Sequence, residues 1–303
     1  MQVSRYLAVL VLLAILPLGG CLFHTHRVEQ INLAILKNAN KQDLIAYVNS
    51  QAAKIQSIQA TVDIDTAVGG AKKGKVTEYE QIRGFVLARK PEMLRMIGLY
   101  PIVRNRAFDM VSDGHDFKVW IPNKNRFVVG RNDVMSPNPT QPLENLRPQI
   151  IYEALLLHEI SPGETAILEN GTETVTDEKG RQSEQPDYVI DVIRSRADDS
   201  WLSRKIIFSR IDLRPNRQLI YDELGTLVTD ARYTDYKDYD GLNFPSKIEI
   251  KRPEEEYDIT LTILKPGLNQ PLTDDKFVLE QPAGAQVIHL DHTPAATNGG
   301  GSH

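Results

Sequence analysis

Apolar and polar positions alternate with a period of two through most of this chain. Ile58, Ala60, Val62 and Ile64 alternate with Gln59, Thr61, Asp63 and Asp65. A half-buried antiparallel strand has this pattern, with one face toward a core and one toward water. It is as clean late in the chain. There Ile248 and Ile250 alternate with Lys247, Glu249 and Lys251, and Tyr257, Ile259, Leu261 and Ile263 with Glu256, Asp258, Thr260 and Thr262. Between these stretches the alternation predicts a long strand over 76–88 and shorter ones near 93–98, 106–112, 116–121 and 126–130. It resumes at 164–169, 187–194, 203–213, 217–224, 228–236, 245–251 and 256–264. Turn chemistry separates the strands. Gly69-Gly70 starts a lysine-rich turn, Asp113-Gly114 predicts a two-residue hairpin, and Asn170-Gly171 opens a polar loop reaching Pro186.

Helical spacing occurs in two places. Leu44, Ile45, Val48, Ala52 and Ile55 recur on one face of a helix over about 41–56, with Asn40 as N-cap and Asp43 in the first turn. Pro148 suits the first turn of a second helix over about 147–158, which places Ile151, Ala154 and Leu155 on one face. The proline-rich stretch before it, 136–148, reads as loop.

The N-terminus follows neither period. Arg5 precedes an uncharged apolar run from Tyr6 to Leu16, and Pro17 ends it. The run falls short of the roughly 20 residues that span a bilayer. It fits the apolar core of an export signal peptide, roughly 7 to 15 residues long. Leu18-Gly19-Gly20-Cys21 follows and resembles a bacterial lipobox, in which small residues precede a cysteine that takes up lipid. Cys21 is the only cysteine of the chain, which excludes a disulfide, a multi-cysteine metal site and, once it is acylated, a catalytic thiol. Residues 1–20 are therefore expected to be a lipoprotein signal peptide, with lipid attachment at Cys21 and a lipidated tether over 21–40. Leu22, where a retention signal would have Asp, favours the outer membrane, facing the periplasm. One domain is expected over 41–282 and a disordered tail over 283–303.

About a dozen antiparallel strands with only two helices make a mainly β protein of the α+β class. A sheet that long must curl, split or close. Its apolar face also needs a cover that two helices only partly supply.

Several short stretches, in this order, resemble the superfamily of outer-membrane lipoprotein-sorting proteins, the periplasmic carrier LolA and the membrane-bound receptor LolB. A helix runs through Ile55-Gln56-Ser57-Ile58 into the first strand. Gly84-Phe85-Val86-Leu87-Ala88-Arg89-Lys90-Pro91 is followed by Leu94-Arg95, then by Ser112-Asp113-Gly114 and Phe117-Lys118-Val119-Trp120-Ile121-Pro122. Asp240-Gly241-Leu242-Asn243-Phe244-Pro245 precedes the Ile248 strand, and Asp274 to Phe277 follow the last long one. The order agrees over roughly residues 41–282; the chain is longer than the usual receptor, by the 170–186 loop and the tail. The resemblance implies an unclosed, strongly curved antiparallel β-barrel of about eleven or more strands, with helices as a lid over an apolar cavity. It implies acyl chains of lipoproteins or lipids as ligand, a periplasmic carrier protein as partner, and a receptor loop with an exposed apolar residue that meets the membrane.

On this reading the inward apolar set lines the cavity: Leu87, Leu94, Met96, Phe108, Val119, Ile121, Ile207, Ile211, Ile248, Ile250, Ile259 and Leu261. Arg89 and Arg95, with Lys90 between them in sequence, are expected at its rim or gate. The competing reading is an envelope scaffold with a filled core that binds a protein partner and carries no lipid.

Composition narrows the remaining chemistry. The chain has 303 residues and a net charge of −5, and no basic stripe with interleaved aromatics marks a nucleic-acid binder. Gly69 to Lys75 has the spacing of a phosphate loop, but Val76 stands where Ser or Thr must hold magnesium. His158-Glu159 starts like a zincin motif and lacks the second histidine, and Asp235, Asp238 and Asp240 miss calcium-loop spacing. His24 and His26 lie beside the anchor, and His289 and His292 in the tail; they read as surface histidines. No Gly-x-Ser-x-Gly elbow is present, so no enzyme activity, cofactor or metal is expected.

Overall fold

A computed structural model of the chain describes residues 36–132, 147–176, 180 and 182–290. Cys21 and the stretch read as a lipobox lie outside the described residues, as does most of the stretch read as proline-rich loop. The body comprises Leu36–Gly171 and Pro186–His303, while residues 172–185 belong to a separate compact unit.

Two α-helices are present among the described residues, α1 (Lys41–Lys54) and α2 (Pro148–Leu155). The strands are β1 (Ser57–Gly70), β2 (Lys75–Glu78), β3 (Ile82–Arg89), β4 (Met93–Leu99), β5 (Arg106–Ser112), β6 (Asp116–Ile121) and β7 (Arg126–Arg131). After α2 come β8 (Thr165–Thr176), β9 (Gln182–Arg196), β10 (Asp199–Ser209), β11 (Pro215–Tyr221), β12 (Leu227–Tyr239), β13 (Leu242–Arg252), β14 (Tyr257–Leu268) and β15 (Gln286–His289).

They form one sheet in the order β15-β7-β6-β5-β4-β3-β1-β14-β13-β12-β11-β10-β9-β8, with β2 added to β1. Consecutive strands are neighbours within two runs, and β1 joins the runs by pairing antiparallel with β3 and with β14. The sheet stays open, with β15 and β8 as edges. Register shifts occur at Thr61/Val62, Gly98/Leu99, Leu202/Arg204, Ile207/Phe208 and Ile220/Tyr221. Each adds a residue on one strand, which bends it and increases its twist. This architecture is the unclosed, curved antiparallel barrel expected from the sequence.

The alternation dictates the faces. Ile58, Ala60, Val62 and Ile64 are buried in the main core with Val86, Ala88, Leu94, Met96, Val119 and the inward residues of β12–β14. Ile150, Ile151, Ala154 and Leu155 of α2 join the same core. α1 covers a second cluster, in which Leu44 and Val48 meet Ile190, Val192, Ile206 and Phe208 of β9 and β10. Its N-terminus is closed by a reciprocal capping box. Asp43 N–H donates to Asn40 Oδ1 at 2.9 Å, and Asn40 N–H donates to Asp43 Oδ2 at 3.1 Å.

Several expectations are corrected. The strand over 76–88 is two strands, because the chain leaves the sheet at Tyr79-Glu80-Gln81. The hairpin between β5 and β6 turns about Gly114-His115, one residue later than expected, since Asp113 N–H donates to Asp116 O. Gly114, with φ of 94°, takes the conformation its side chain-free backbone allows. Asn170-Gly171 lies inside β8 and opens no loop. The strand read as 203–213 ends at Ser209, and the second helix stops at Leu155. The tail folds as far as Leu290, because β15 pairs parallel with β7. Residues 291–303 lie outside the described residues.

Candidate functional site

β1, β3, β4, β5, β6 and β14 turn Ile64, Ile82, Met96, Phe108, Ile121 and Ile259 toward one space, and Ile151 of α2 faces it as well. With Thr66, Ala67, Val68, Ala107 and Tyr257 they surround a cavity of about 330 Å³. Its rim is polar, built by Tyr79, Glu80, Tyr100, Asn123, Lys124 and Asp258. Tyr79, Glu80, Asn123 and Lys124 are exposed, so the cavity opens to water at this end of the sheet. Asn123 Nδ2 donates to Tyr100 Oη at 2.8 Å across the rim.

Packed interiors seldom leave space larger than a water molecule. One reason for this space is Gly98. A Cβ there would stand 2.5 Å from Phe108 Cε1 and 2.8 Å from Ile82 Cδ1. Glycine lets both side chains lie back against β4; any other residue pushes them into the cavity.

The residues expected from the sequence divide into three groups. Met96, Phe108, Ile121 and Ile259 line the cavity. Leu94, Val119, Ile248, Ile250 and Leu261 lie in the filled part of the same core. Leu87, Ile207 and Ile211 line no part of the cavity. Leu87 is half-buried on the face opposite Val86 and Ala88, and Ile207 likewise points away from Ile206 and Phe208. Ile211 follows the end of β10 and is 45% exposed. For Leu87 and Ile207 the strand was recognised correctly but the face was misjudged, which inverts every side chain.

Arg89 and Arg95 form no rim. Arg95 alternates with Leu94 and Met96 and so stands on the outer face. There it holds the fully buried Asp109 carboxylate with two hydrogen bonds, at 3.0 and 2.9 Å, and donates to Lys276 O at 3.0 Å. Arg89 pairs with Asp274, donates to Leu272 O and stacks over the Phe277 ring at 5.1 Å. Together they strap the segment 272–277 against the outside of β3 and β4.

The cation that reaches the helical cover is Lys90. Its Nζ donates to Ala52 O in the last turn of α1 and to Leu157 O just past α2. Arg204 of β10 holds the next two carbonyls, those of His158 and Glu159, at 2.9 and 2.6 Å. Asn49 then closes on Ile160, accepting its N–H at 2.8 Å and donating to its carbonyl at 3.2 Å. The exit from α2 is thus held carbonyl by carbonyl. Burial lowers the pKa of the Lys90 amine, with nearby Glu159 opposing.

Burial dominates the ionisation of the surroundings. It pushes the Tyr257 hydroxyl up to about 12 and raises the Asp258 carboxyl at the rim. On α2 it pushes Glu153 up to about 7, against the pull of Arg252. His158 is lowered to about 4, by burial first and then by Arg204 and Lys90. Among the described residues no group of three or more His, Cys, Asp and Glu is placed to hold a metal. What the cavity offers is shape and an apolar wall.

Ile64 and Tyr257 follow the alternation already read from the sequence, and Ile151 lies on the helix face already noted. Tyr79 and Ile82 had no such signal, because the break at Glu80-Gln81 carries neither Gly nor Pro.

No protein-family model matches the chain, and no curated protein matches it. Solved structures do. A LolA superfamily protein from Nitrosomonas europaea is 16% identical, with a TM-score of 0.46 over 80% of this chain and 99% of that one. A domain assigned to outer membrane lipoprotein sorting, from Vibrio parahaemolyticus, is 15% identical, with a TM-score of 0.46 over 78% and 97%. A DUF1329 family protein from Desulfovibrio piger is 15% identical, with a TM-score of 0.45 over 78% and 95%.

Proposed function

We propose that this is a noncatalytic, lipid-anchored envelope protein. It holds acyl chains in the cavity beneath Ile151 and assists the transfer or insertion of lipoproteins or lipids at the outer membrane. The observation that carries this reading is the void itself, apolar in lining, about 330 Å³ in volume and open at one end. That volume lies at the lower end of the roughly 300–1,000 Å³ of small-molecule pockets. Burying a methylene gains about 0.8 kcal/mol, so a chain of ~16 carbons gains on the order of 10 kcal/mol before ordering costs. No reacting group is required.

The loop after β4 supports the same reading. Ile102 is 92% exposed and Val103 65%, and Tyr100 of that loop belongs to the cavity rim. An apolar pair held in water beside an apolar opening suits contact with a membrane. It also fits the membrane-meeting loop that the resemblance implies. Lipid attachment at Cys21 would keep the protein at the membrane. A scaffold with a filled core gives no account of either feature.

The test is a photoactivatable palmitate analogue irradiated with the full-length protein, with the labelled peptides mapped by mass spectrometry. Label is expected on β1, β4, β5 and β14, at Met96, Phe108 and Ile259. Absence of label, or label confined to the outer face, overturns the reading.

A further inference from the structure

Beside the cavity the inner face of the sheet changes from apolar to polar. Arg204 of β10 stands opposite Ile220, Ile220 opposite Thr229, and Arg252 opposite Tyr257. Arg252 Nη1 donates to Thr229 Oγ1 at 3.0 Å, which closes the row. One pair inward on the same strands, Gln218 stands between Ile206 and Ala231, and Tyr233 is the next inward residue of β12. Tyr257, at the end of the row, also lines the cavity, so the polar row and the apolar void share a wall.

These side chains are sealed from water yet incompletely bonded. The Arg204 and Arg252 side chains are 7% and 5% exposed. Each has its two Nη groups occupied, Arg204 by His158 O and Glu159 O, and Arg252 by Thr229 and Glu255. Each leaves Nε buried without a partner, and so do Gln218 Oε1 and the Tyr233 hydroxyl. A buried polar group without a partner costs free energy, and a cluster of them points to something that completes it. Both guanidinium charges already face a carboxylate, Glu164 at 3.6 Å and Glu255 at 2.5 Å. A further full anion would have no uncompensated charge to meet. A neutral group that offers carbonyl oxygens to the Nε donors and to the Tyr233 hydroxyl, and a hydroxyl or N–H to Gln218 Oε1, meets these four open valences.

We propose that this row is a headgroup subsite, and that the ligand class is a neutral acyl ester or amide, its chain in the cavity and its carbonyls against Arg204 and Arg252. This rests on the acyl-chain reading of the cavity and specifies the amphiphile. Ester or amide carbonyls with a neighbouring donor distinguish an acylglycerol or an acylated amine from a free fatty acid.

Full-length protein is titrated with three probes of one chain length, displacing a fluorescent fatty acid: monooleoylglycerol, oleate and oleyl methyl ether. The glycerol ester is expected to bind about tenfold more tightly than either of the others, the ratio that one or two buried hydrogen bonds supply. Tyr233→Phe and Gln218→Met remove a hydroxyl and an amide at nearly constant shape. Tyr233→Phe is expected to melt at or above the wild-type temperature without ligand, because it removes an unbonded polar atom. Each variant removes one contact of the subsite and is expected to lower the ester-to-ether ratio severalfold while ether affinity stays unchanged. Equal binding of the three probes, or a ratio that neither variant moves, overturns the subsite and leaves the carrier reading standing. Binding of none of the three overturns both.

Discussion

The Lys90 ammonium donates to the carbonyl of Leu157 at 3.3 Å, tying the end of β3 to the chain just after α2. The same amine donates to Ala52 O, so one half-buried charge fastens the ends of both helices. Lys90→Met keeps the aliphatic stem and removes both bonds. Stability should fall by about 1–2 kcal/mol in a denaturant melt. Bound acyl probe should leave severalfold faster in stopped-flow measurements. A fall in stability with unchanged release would show that α2 does not gate the cavity.

Void and filled core respond differently to substitution. Gly98→Val should press Phe108 and Ile82 into the cavity and abolish labelling by the palmitate analogue. Ile250→Ala, in the filled region, should cost about 2–5 kcal/mol and leave labelling of the folded protein intact. If Gly98→Val labels as well as wild type, the chain binds elsewhere.

The Ile102-Val103 pair is assigned to contact with the bilayer rather than to binding. Asp at both positions should leave affinity for the palmitate analogue within about twofold, since neither residue lines the cavity. Transfer of that probe to liposomes should drop by an order of magnitude or more. Equal loss of both would assign the loop to the binding site instead.

Two groups near α2 set opposing pH dependences. Glu153 has a folded pKa of about 7, above its unfolded value, so its stabilisation is full below about 4.5 and fades as pH rises toward 7. His158 has a folded pKa of about 4, below its unfolded value, so its contribution is present above 6.5 and is lost as pH falls toward 4. The two slopes oppose one another between about pH 4.5 and 6.5. Relative to wild type, Glu153→Gln should therefore gain stability as pH rises through that window. His158→Gln should lose it. Urea midpoints at pH 4.5, 5.5, 6.5 and 7.5 decide the matter, and parallel curves for all three proteins would refute both assignments.

The sheet was legible because alternation is a backbone property. Ile58 to Ile64 and Tyr257 to Ile263 announce strand and face, while their pairing, Ile64 with Leu261, emerges only in the structure. The cavity was half legible. Met96 and Ile250 carry the same inward signal, yet one borders a void and the other is packed solid. What separates them is the distance to the facing side chains, set by bulges and by Gly98, and period-two patterning has no term for it. Lys90 and Arg204 were invisible as clamps because their partners are backbone carbonyls, which every residue has. Arg95 looked like rim from its charge, while Asp109, its buried partner, lay in what read as an ordinary strand.

β15 also changes which edge the sheet presents to other copies of the chain. It is seated by Gln286 N–H on Asn125 O, by Leu290 N–H on Val129 O and by Asn125 Nδ2 on Gly284 O, all near 2.9–3.0 Å. Without it, β7 would present bare amides along a flat flank, a template for any other copy of the same strand. The four-residue β15 takes up that flank, so the edge it leaves is shorter than the six-residue strand it covers.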